Sequence, residues 1–142
     1  MKKVTLTLFL GIFSLITVFA QSTAKIEFNE EVHEFGEIPE GPKATHEFHF
    51  TNTGNSPLIL TNVRTSCGCT SPFWPREPIA PGESSKISVE YNTQNRVGPF
   101  NRSVTITSNA DTPSKQLFIK GTVVKEGSSS GMPTRQRSIV DQ

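Results

Sequence analysis

The chain has 142 residues, and its 14 Lys and Arg residues against 13 Asp and Glu residues give a formal net charge of +1. This length favours a single domain, since most globular domains have roughly 100–150 residues, and the near balance of charge argues against a nucleic-acid-binding protein. The presence of only two cysteines excludes a disulfide-dense scaffold and a four-cysteine zinc module.

The first twenty residues have the pattern of a secretory signal peptide. Lys2 and Lys3 form a basic start, an uncharged apolar run follows, and small residues at positions 18 and 20 predict cleavage between Ala20 and Gln21. The run is a little shorter than the about 20 apolar residues of a bilayer-spanning helix. We therefore interpret residues 1–20 as a cleaved signal, with an uncleaved signal anchor as the alternative.

Export determines what is expected of the mature protein. Cleavage removes both lysines of the signal and leaves a net charge of −1, so the mature chain lacks an electrostatic attraction to nucleic acid or anionic lipid. We predict a secreted or periplasmic protein that meets the membrane only through its signal peptide during export. That compartment is oxidising, so Cys67 and Cys69 can pair there.

Residues 25–125 alternate apolar and polar side chains with a period of two, which predicts short β-strands rather than helices. Turn-forming stretches rich in Pro, Gly and Asn separate them. About seven short strands over roughly a hundred residues predict an all-β, immunoglobulin-like antiparallel β-sandwich. The predicted strands lie near residues 26–28, 32–35, 45–50, 58–63, 87–91, 104–106 and 117–124.

Two other segments are predicted to be irregular. The stretch that follows residue 63 is dense in Cys, Gly and Pro and is interpreted as a loop, and residues 92–99 are interpreted as a polar connection. Residues 126–142 begin with a Gly/Ser-rich run and stay polar to the end, so they cannot bury enough apolar surface to fold. We predict a disordered polar tail there.

An ordered series of short motifs resembles a known family. Cys67-Gly68-Cys69-Thr70 is the specific part, and further motifs lie at residues 35–38, 48–54, 57–58, 74, 81–82 and 87–91. The series is similar to a bacterial family of secreted proteins, the domain-of-unknown-function family 1573, over nearly the whole mature chain. The resemblance implies an immunoglobulin-like fold and a cell-envelope location, and it implies no reaction.

The two cysteines allow three interpretations. They can form an ordered loop or a local disulfide, for which Gly68 would supply backbone freedom. As thiolates they can bind a soft metal, with His33, His46 or His49 completing the site. As a labile pair they can perform thiol exchange, although no Cys-x-x-Cys motif is present. We favour the structural interpretation.

The histidines and acidic residues have simpler explanations. His46 has the same parity as Phe48 and Phe50, which predicts a histidine at the edge of the core, whereas His49 points the other way and is expected to be solvated. The orientation of His33, near a predicted bulge, is not determined by the pattern. The glutamates between residues 30 and 40 are interpreted as charges that protect a strand edge from pairing.

No catalytic set is assembled in the sequence, so we predict a protein that is not an enzyme and needs no cofactor. A nucleophile elbow and a phosphate-binding loop are both absent. Phe73 and Trp74 are candidate contacts to a partner, the alternative being that Trp74 covers one end of the core. The predicted function is an exported binding or structural module whose edge strands and loops dock an envelope protein or a glycan. The alternative is an envelope metal- or thiol-handling protein that uses Cys67 and Cys69; metal binding and oligomeric state are left open.

Overall fold

The computed structural model describes residues 21–125, which form eight β-strands and no helix. The strands are β1 (Ile26–Phe28), β2 (Val32–Pro39), β3 (Lys43–Asn52), β4 (Leu60–Thr65), β5 (Thr70–Phe73), β6 (Ser84–Asn92), β7 (Gly98–Ser108) and β8 (Ser114–Val124). Within this part of the chain no helix is long and apolar enough to cross a membrane. The predicted signal peptide and polar tail lie outside the described residues.

The strands form two four-stranded sheets that pack as a sandwich. The first sheet has the order β1-β3-β6-β5 and the second has the order β2-β8-β7-β4. All neighbouring strands are antiparallel except β2 and β8, which run parallel. The predicted all-β immunoglobulin-like sandwich is thus confirmed, and its one parallel pair is a departure from the antiparallel expectation. The chain reaches β2 by crossing from the first sheet to the second, and nothing in the strand's own alternation determines its direction there.

The core lies between the two sheets and follows the period-two pattern. Phe48 and Phe50 on β3 and Ile87 and Val89 on β6 are fully buried from the first sheet. The second sheet supplies side chains of the same kind, namely Val104, Ile106, Leu117 and Ile119. Because each buried aliphatic or aromatic side chain contributes about 1.5–3 kcal/mol relative to exposure, this alternation provides the main driving force for folding.

The two largest differences from the predicted strands concern β5 and the start of β7. The stretch 70–73, interpreted as loop, is strand β5, which pairs with β6 through Thr70–Tyr91 and Phe73–Ser88. Strand β7 begins at Gly98 rather than near residue 104, so the polar connection before it is shorter than expected. β5 contains Pro72 and β7 begins with Gly98 and Pro99; these residues weaken the local strand signal, and pairing with a neighbouring strand decides the conformation.

Candidate functional site

The connection between β4 and β5 is closed by a disulfide between Cys67 and Cys69. Cys69 is buried, and Cys67 is partly buried against the same core. Disulfide sulfurs do not act as thiolate ligands, so the hypothesis that the two cysteines bind a metal is wrong for this state of the protein, and the thiol-exchange hypothesis is replaced by that of a structural disulfide. The local disulfide that we favoured is confirmed.

Hydrogen bonds hold this disulfide turn on the ends of two strands. The hydroxyl of Thr65 lies 2.9 Å from the Cys67 carbonyl oxygen and 3.1 Å from the Thr70 carbonyl oxygen. On the other side, the Ser66 N–H donates to the Ser103 carbonyl at 3.0 Å, and the Ser103 N–H donates to the Ser66 hydroxyl oxygen at 3.1 Å. The turn is therefore tied to β4, β5 and β7 at once.

Phe73 and Trp74 follow directly at the end of β5 and differ in exposure. The Phe73 side chain is 62% exposed, whereas Trp74 is partly buried and packs against the core. The Arg76 guanidinium covers the Trp74 ring, 3.8 Å from its centroid. The buried Trp74 Nε1–H finds no hydrogen-bond acceptor among residues 21–125. The two interpretations of this pair therefore apply to different residues. Trp74 covers the core, whereas Phe73 faces solvent and stays the candidate contact to a partner.

A shallow groove of about 320 Å³ runs beside these aromatic residues; Phe73, Trp74, Pro75, Ser85, Lys86 and Ser88 line it. Its floor is apolar, and its cationic groups are Lys86 on the rim and the nearby Arg76. Lys86 is paired with Glu47 at 2.7 Å. Within the described residues no carboxylate pairs with Arg76, which leaves a positive charge against the Trp74 ring.

Strand β5 lies at an edge of its sheet, yet its free edge has few backbone groups to offer. The Asn92 N–H donates to the Cys69 carbonyl, so alternation directs the backbone groups of Ser71 and Phe73 towards β6 and those of Thr70 and Pro72 towards the free edge. Pro72 has no N–H, and the Thr70 N–H is 3.4 Å from the Cys67 carbonyl. Addition of a partner strand to β5, one form of the docking that the sequence predicts, is therefore unfavourable.

A second cluster of polar side chains lies away from the disulfide, where β2 of one sheet passes β3 of the other. The rings of His33 and His46 stack with centroids 3.5 Å apart and an interplanar angle of 6°. Glu30, in the loop between β1 and β2, places its Oε1 2.5 Å from His46 Nε2 and 4.0 Å from His33 Nδ1. His46 is at the core edge as predicted, and Phe48 packs edge-on against it.

The electrostatics of this cluster follow from its burial and its charges. Partial burial and the neighbouring His46 both lower the pKa of His33, and the Glu30 carboxylate opposes them. His49 takes no part, because it lies on the other face of β3 with its side chain 56% exposed, as predicted. His33 and His46 thus form a contacting pair, and His49 is solvated by itself.

Sequence reasoning missed the role of Glu30 and the meeting of His33 with His46. The glutamates between residues 30 and 40 look alike in sequence, and only the path of the loop after β1 brings Glu30 against two rings. A carboxylate three residues before a histidine at the start of a strand is the one local signal that was available. It is common on protein surfaces and carries little information alone.

The family described as "Protein of unknown function (DUF1573)" matches residues 26–123 of this chain. The chain belongs to this family. The match spans the eight-stranded sandwich from its first strand almost to the end of β8, so the resemblance noted from the short motifs is confirmed. No curated protein matches the sequence.

Solved structures similar to this DUF1573 domain show the fold. A protein of unknown function from Porphyromonas gingivalis W83 matches with a TM-score of 0.65 and 19% identity, over 77% of this chain and 51% of that one. The ASH/PapD-like domain 7 of human CEP192 matches with a TM-score of 0.61 and 8% identity, over 74% and 89%. The secreted serine protease VesC from Vibrio cholerae matches with a TM-score of 0.53 and 18% identity, over 70% and 23%.

These neighbours are similar in fold only, because their identities to this chain are low. This chain spans about half the length of the Porphyromonas gingivalis protein and under a quarter of VesC. The same sandwich thus occurs within larger chains of different function. Fold likeness of this kind does not transfer an activity.

Proposed function

We propose that this DUF1573 domain is an exported, non-catalytic protein-binding module of the cell envelope, with Phe73 at the centre of its contact surface. The observation that carries the proposal is the exposure of Phe73 at the end of an edge strand that a disulfide turn and Trp74 hold in place. An exposed aromatic ring on a rigid support adds contact area with little loss of conformational entropy on binding, as in protein interfaces.

The surroundings of Phe73 favour a protein partner over a glycan. Arg76 covers the Trp74 ring, so of the two aromatic residues only Phe73 offers an open face on which a sugar ring could stack. The groove instead has an apolar floor, and the unpaired cationic charge of Arg76 lies against Trp74, one of its lining residues. That combination suits a peptide segment with an apolar side chain beside a carboxylate, since Arg binds carboxylates in a bidentate manner.

Docking at this surface is expected to use side chains rather than a shared sheet. The free edge of β5 presents Pro72 and a Thr70 whose N–H already has a partner, so few backbone hydrogen bonds are available there. The affinity should therefore depend on the groove and on Phe73. This refines the expectation of β-augmentation for this edge of the sandwich.

The test places a photo-crosslinking amino acid at position 73 of the full chain, in the native cell. Position 97 serves as the control, because Val97 is 51% exposed and lies on a different loop. We expect position 73 to capture one protein of defined mass that position 97 does not capture. The captured protein, purified, should bind the wild-type domain directly.

Quantitative binding then decides the proposal. Phe73→Ala should weaken the affinity for the captured protein by roughly tenfold or more, as central interface residues do, and Val97→Ala should change it by less than about twofold. Equal effects of both substitutions, or an adduct that glycosidases but not proteases remove, would refute the protein-binding proposal. In the second case the partner is a glycan.

The proposed export rests on two supporting observations. The first twenty residues have the signal-peptide pattern, and the cysteine pair forms a disulfide, which persists in oxidising compartments. Amino-terminal sequencing of the native protein should begin at Gln21. A chain that begins at Met1, with both cysteines alkylated without prior reduction, would contradict export.

A further inference from the structure

Two imidazole rings and one carboxylate meet where the two sheets approach each other, and they come from three different elements. His33 lies on β2 of the second sheet, His46 lies on β3 of the first sheet, and Glu30 lies in the preceding loop. Their candidate ligand atoms all lie within 4.8 Å of one another. No other group of three or more His, Cys, Asp or Glu residues in the described part of the chain has this proximity.

We propose that His33, His46 and Glu30 bind a first-row transition-metal dication of the Zn²⁺ class, with water completing the coordination. The ligand set decides the class of metal. Imidazole nitrogens favour Zn²⁺ over Mg²⁺ and Ca²⁺, which prefer oxygen ligands, and two histidines with one glutamate form a common zinc ligand set. Cu⁺ prefers sulfur, and both sulfurs of Cys67 and Cys69 are in the disulfide.

The distances between the Glu30 carboxylate and the two imidazoles need to change by only about an ångström to suit an ion. Tetrahedral bonds of about 2.0–2.2 Å place the ligand atoms about 3.3–3.5 Å apart. His46 Nε2 and Glu30 Oε1 are 2.5 Å apart and must separate, whereas His33 Nδ1 and Glu30 Oε1 are 4.0 Å apart and must approach. Glu30 is 43% exposed on a loop, so its carboxylate has the freedom to shift between the two rings.

Binding also changes the stacking of the rings. The ligating lone pair of an imidazole lies in the plane of its ring, and the planes of His33 and His46 are nearly parallel. Both rings can therefore reach one ion only if at least one of them turns out of the stack. The ion takes the place of the direct hydrogen bond between His46 and Glu30.

The cluster is partly enclosed by neighbouring side chains and is still accessible from solvent. The side chains of His33 and His46 are 27% and 19% exposed, so the ion has an entry path while most solvent is excluded. Phe35 packs edge-on against the His33 ring at 4.6 Å, and Phe48 packs edge-on against His46 at 4.8 Å. An apolar surround of this kind limits solvent access and strengthens electrostatic attraction to the ion.

The position of the site predicts its effect on the fold. An ion shared by β2 and β3 would connect the two sheets directly, in addition to the packing of the core. A ligand that binds only the folded state stabilises it in proportion to its occupancy. We therefore expect Zn²⁺ to raise the melting temperature of the domain.

The experiment uses the metal-free full-length mature protein titrated with Zn²⁺, followed by competition with a chromogenic chelator and by thermal unfolding. We expect one equivalent to bind, and a rise in melting temperature of about 10 °C at a hundredfold excess over Kd. Mg²⁺ should give neither result. With Co²⁺ as the probe, visible absorbance should report nitrogen and oxygen ligands.

Matched variants identify the ligands. His46→Asn and Glu30→Gln should each weaken Zn²⁺ binding by about tenfold or more, whereas His49→Asn should leave it within about twofold. Both ligand variants replace partly exposed side chains, and thermal unfolding without metal verifies that they fold. The proposal fails if wild-type protein binds less than a tenth of an equivalent, or if His49→Asn weakens binding as much as His46→Asn.

Discussion

At the level of single residues, the surroundings of each side chain decide what its chemistry can be. Cys67 and Cys69 are two residues apart in sequence, and their pairing removes the thiols that made a metal or redox function conceivable. His33 and His46 are far apart in sequence and meet across the two sheets. Chemical type alone did not distinguish these outcomes, because it does not include the neighbours in space.

The titration of His33 is the first testable consequence at this scale. Its folded-state pKa lies below the ordinary 6.5 because of burial and His46. The unfolded chain therefore binds more protons at this residue, so the stability that His33 contributes at neutral pH is lost as the pH falls below 6.5 towards the folded value. Denaturation midpoints between pH 7.5 and 5.5 should fall less in His33→Gln than in the wild type.

Histidine NMR of the metal-free protein verifies the cause. His46→Asn should raise the pKa of His33, since a like charge is removed, and Glu30→Gln should lower it further, since the carboxylate no longer opposes the shift. A His33 pKa above 6.5 in the wild type would contradict the arrangement.

Two glycines make a matched pair for a second prediction. A Cβ on Gly54 would lie 2.5 Å from the Lys25 nitrogen and closer still to the Thr23 carbonyl oxygen, whereas a Cβ on Gly68 would meet nothing within 4 Å. Backbone atoms cannot rotate away as side chains do. Gly54→Ala should cost about 3 kcal/mol of unfolding free energy, the upper part of the range for overpacking.

Gly68→Ala is the control and should change stability by less than about 0.5 kcal/mol. The backbone at Gly68 does not adopt a positive φ, so the freedom that we expected the disulfide to need there is not required. Urea denaturation of both variants measures the difference. Similar losses in the two would show that the disulfide turn constrains Gly68 after all.

At the level of elements, the strands with strong alternation were predicted well and the strand ends were not. β3 and β6 carry Phe, Ile, Val and Tyr at every second position, so burial of one face specifies both their existence and their orientation. β5 has four residues and contains a proline. Its strand conformation comes from pairing with β6 and from the disulfide turn before it, neither of which is a property of residues 70–73.

Asn52, the last residue of β3, connects the loop that follows β3 with the loop that precedes β6. Its fully buried side chain donates to the carbonyls of Ser56 and Ile79 at 2.8 and 2.9 Å and accepts from the Gly54 N–H at 3.0 Å. Asn52→Ala should lose about 2–3 kcal/mol, because the buried hydrogen bond to the Ile79 carbonyl and the part-buried ones to Ser56 and Gly54 are all lost. Equilibrium denaturation in urea measures this loss.

Asn109 provides the comparison, since it also accepts from a backbone N–H and donates to a carbonyl but does so at the exposed surface. Asn109→Ala should cost about 1 kcal/mol, because water can replace the lost hydrogen bonds. If both alanine variants lose the same amount, burial is not what makes Asn52 important.

At the scale of the whole molecule, the two sides of the sandwich differ in the contacts that connect the sheets. On one side, a turn closed by the Cys67–Cys69 disulfide leads from β4 of one sheet to β5 of the other, and Phe73 and its groove lie beside it. On the other side, where β2 passes β3, noncovalent contacts between polar side chains connect the two sheets. The protein-binding and metal-binding proposals therefore concern separate regions, so that one can fail without affecting the other.

Removal of the disulfide tests how much of the fold depends on it. The bond closes a very short loop, so the chain-entropy model gives it about 1–2 kcal/mol. Cys67→Ser/Cys69→Ser should lower the melting temperature by about 5–10 °C while unfolding stays cooperative. Differential scanning calorimetry measures both quantities. A fall of more than about 20 °C would indicate that the turn, rather than the core, holds the sheets together.

The candidate surface was only partly predictable. Trp74 and the two cysteines stood out because the chain has one Trp and two Cys, and all three lie in one short segment together with Phe73. Which aromatic ring covers the core and which faces solvent depends on the register in which β5 pairs with β6. The groove also requires residues from both of these strands. The Glu30, His33 and His46 cluster was not predictable, because it requires the relative position of two sheets.

By itself, the sequence determined the all-β class, the alternating core and the family, because these follow from local periodicity and short motifs that every strand carries within itself. The tertiary structure alone decided the parallel pairing of β2 with β8, the exposure of Phe73 and the meeting of His33 with His46. Each of these depends on distances between residues remote in the chain. These distances are established only when the two sheets pack against each other, because the burial of the shared core provides the free energy for that packing.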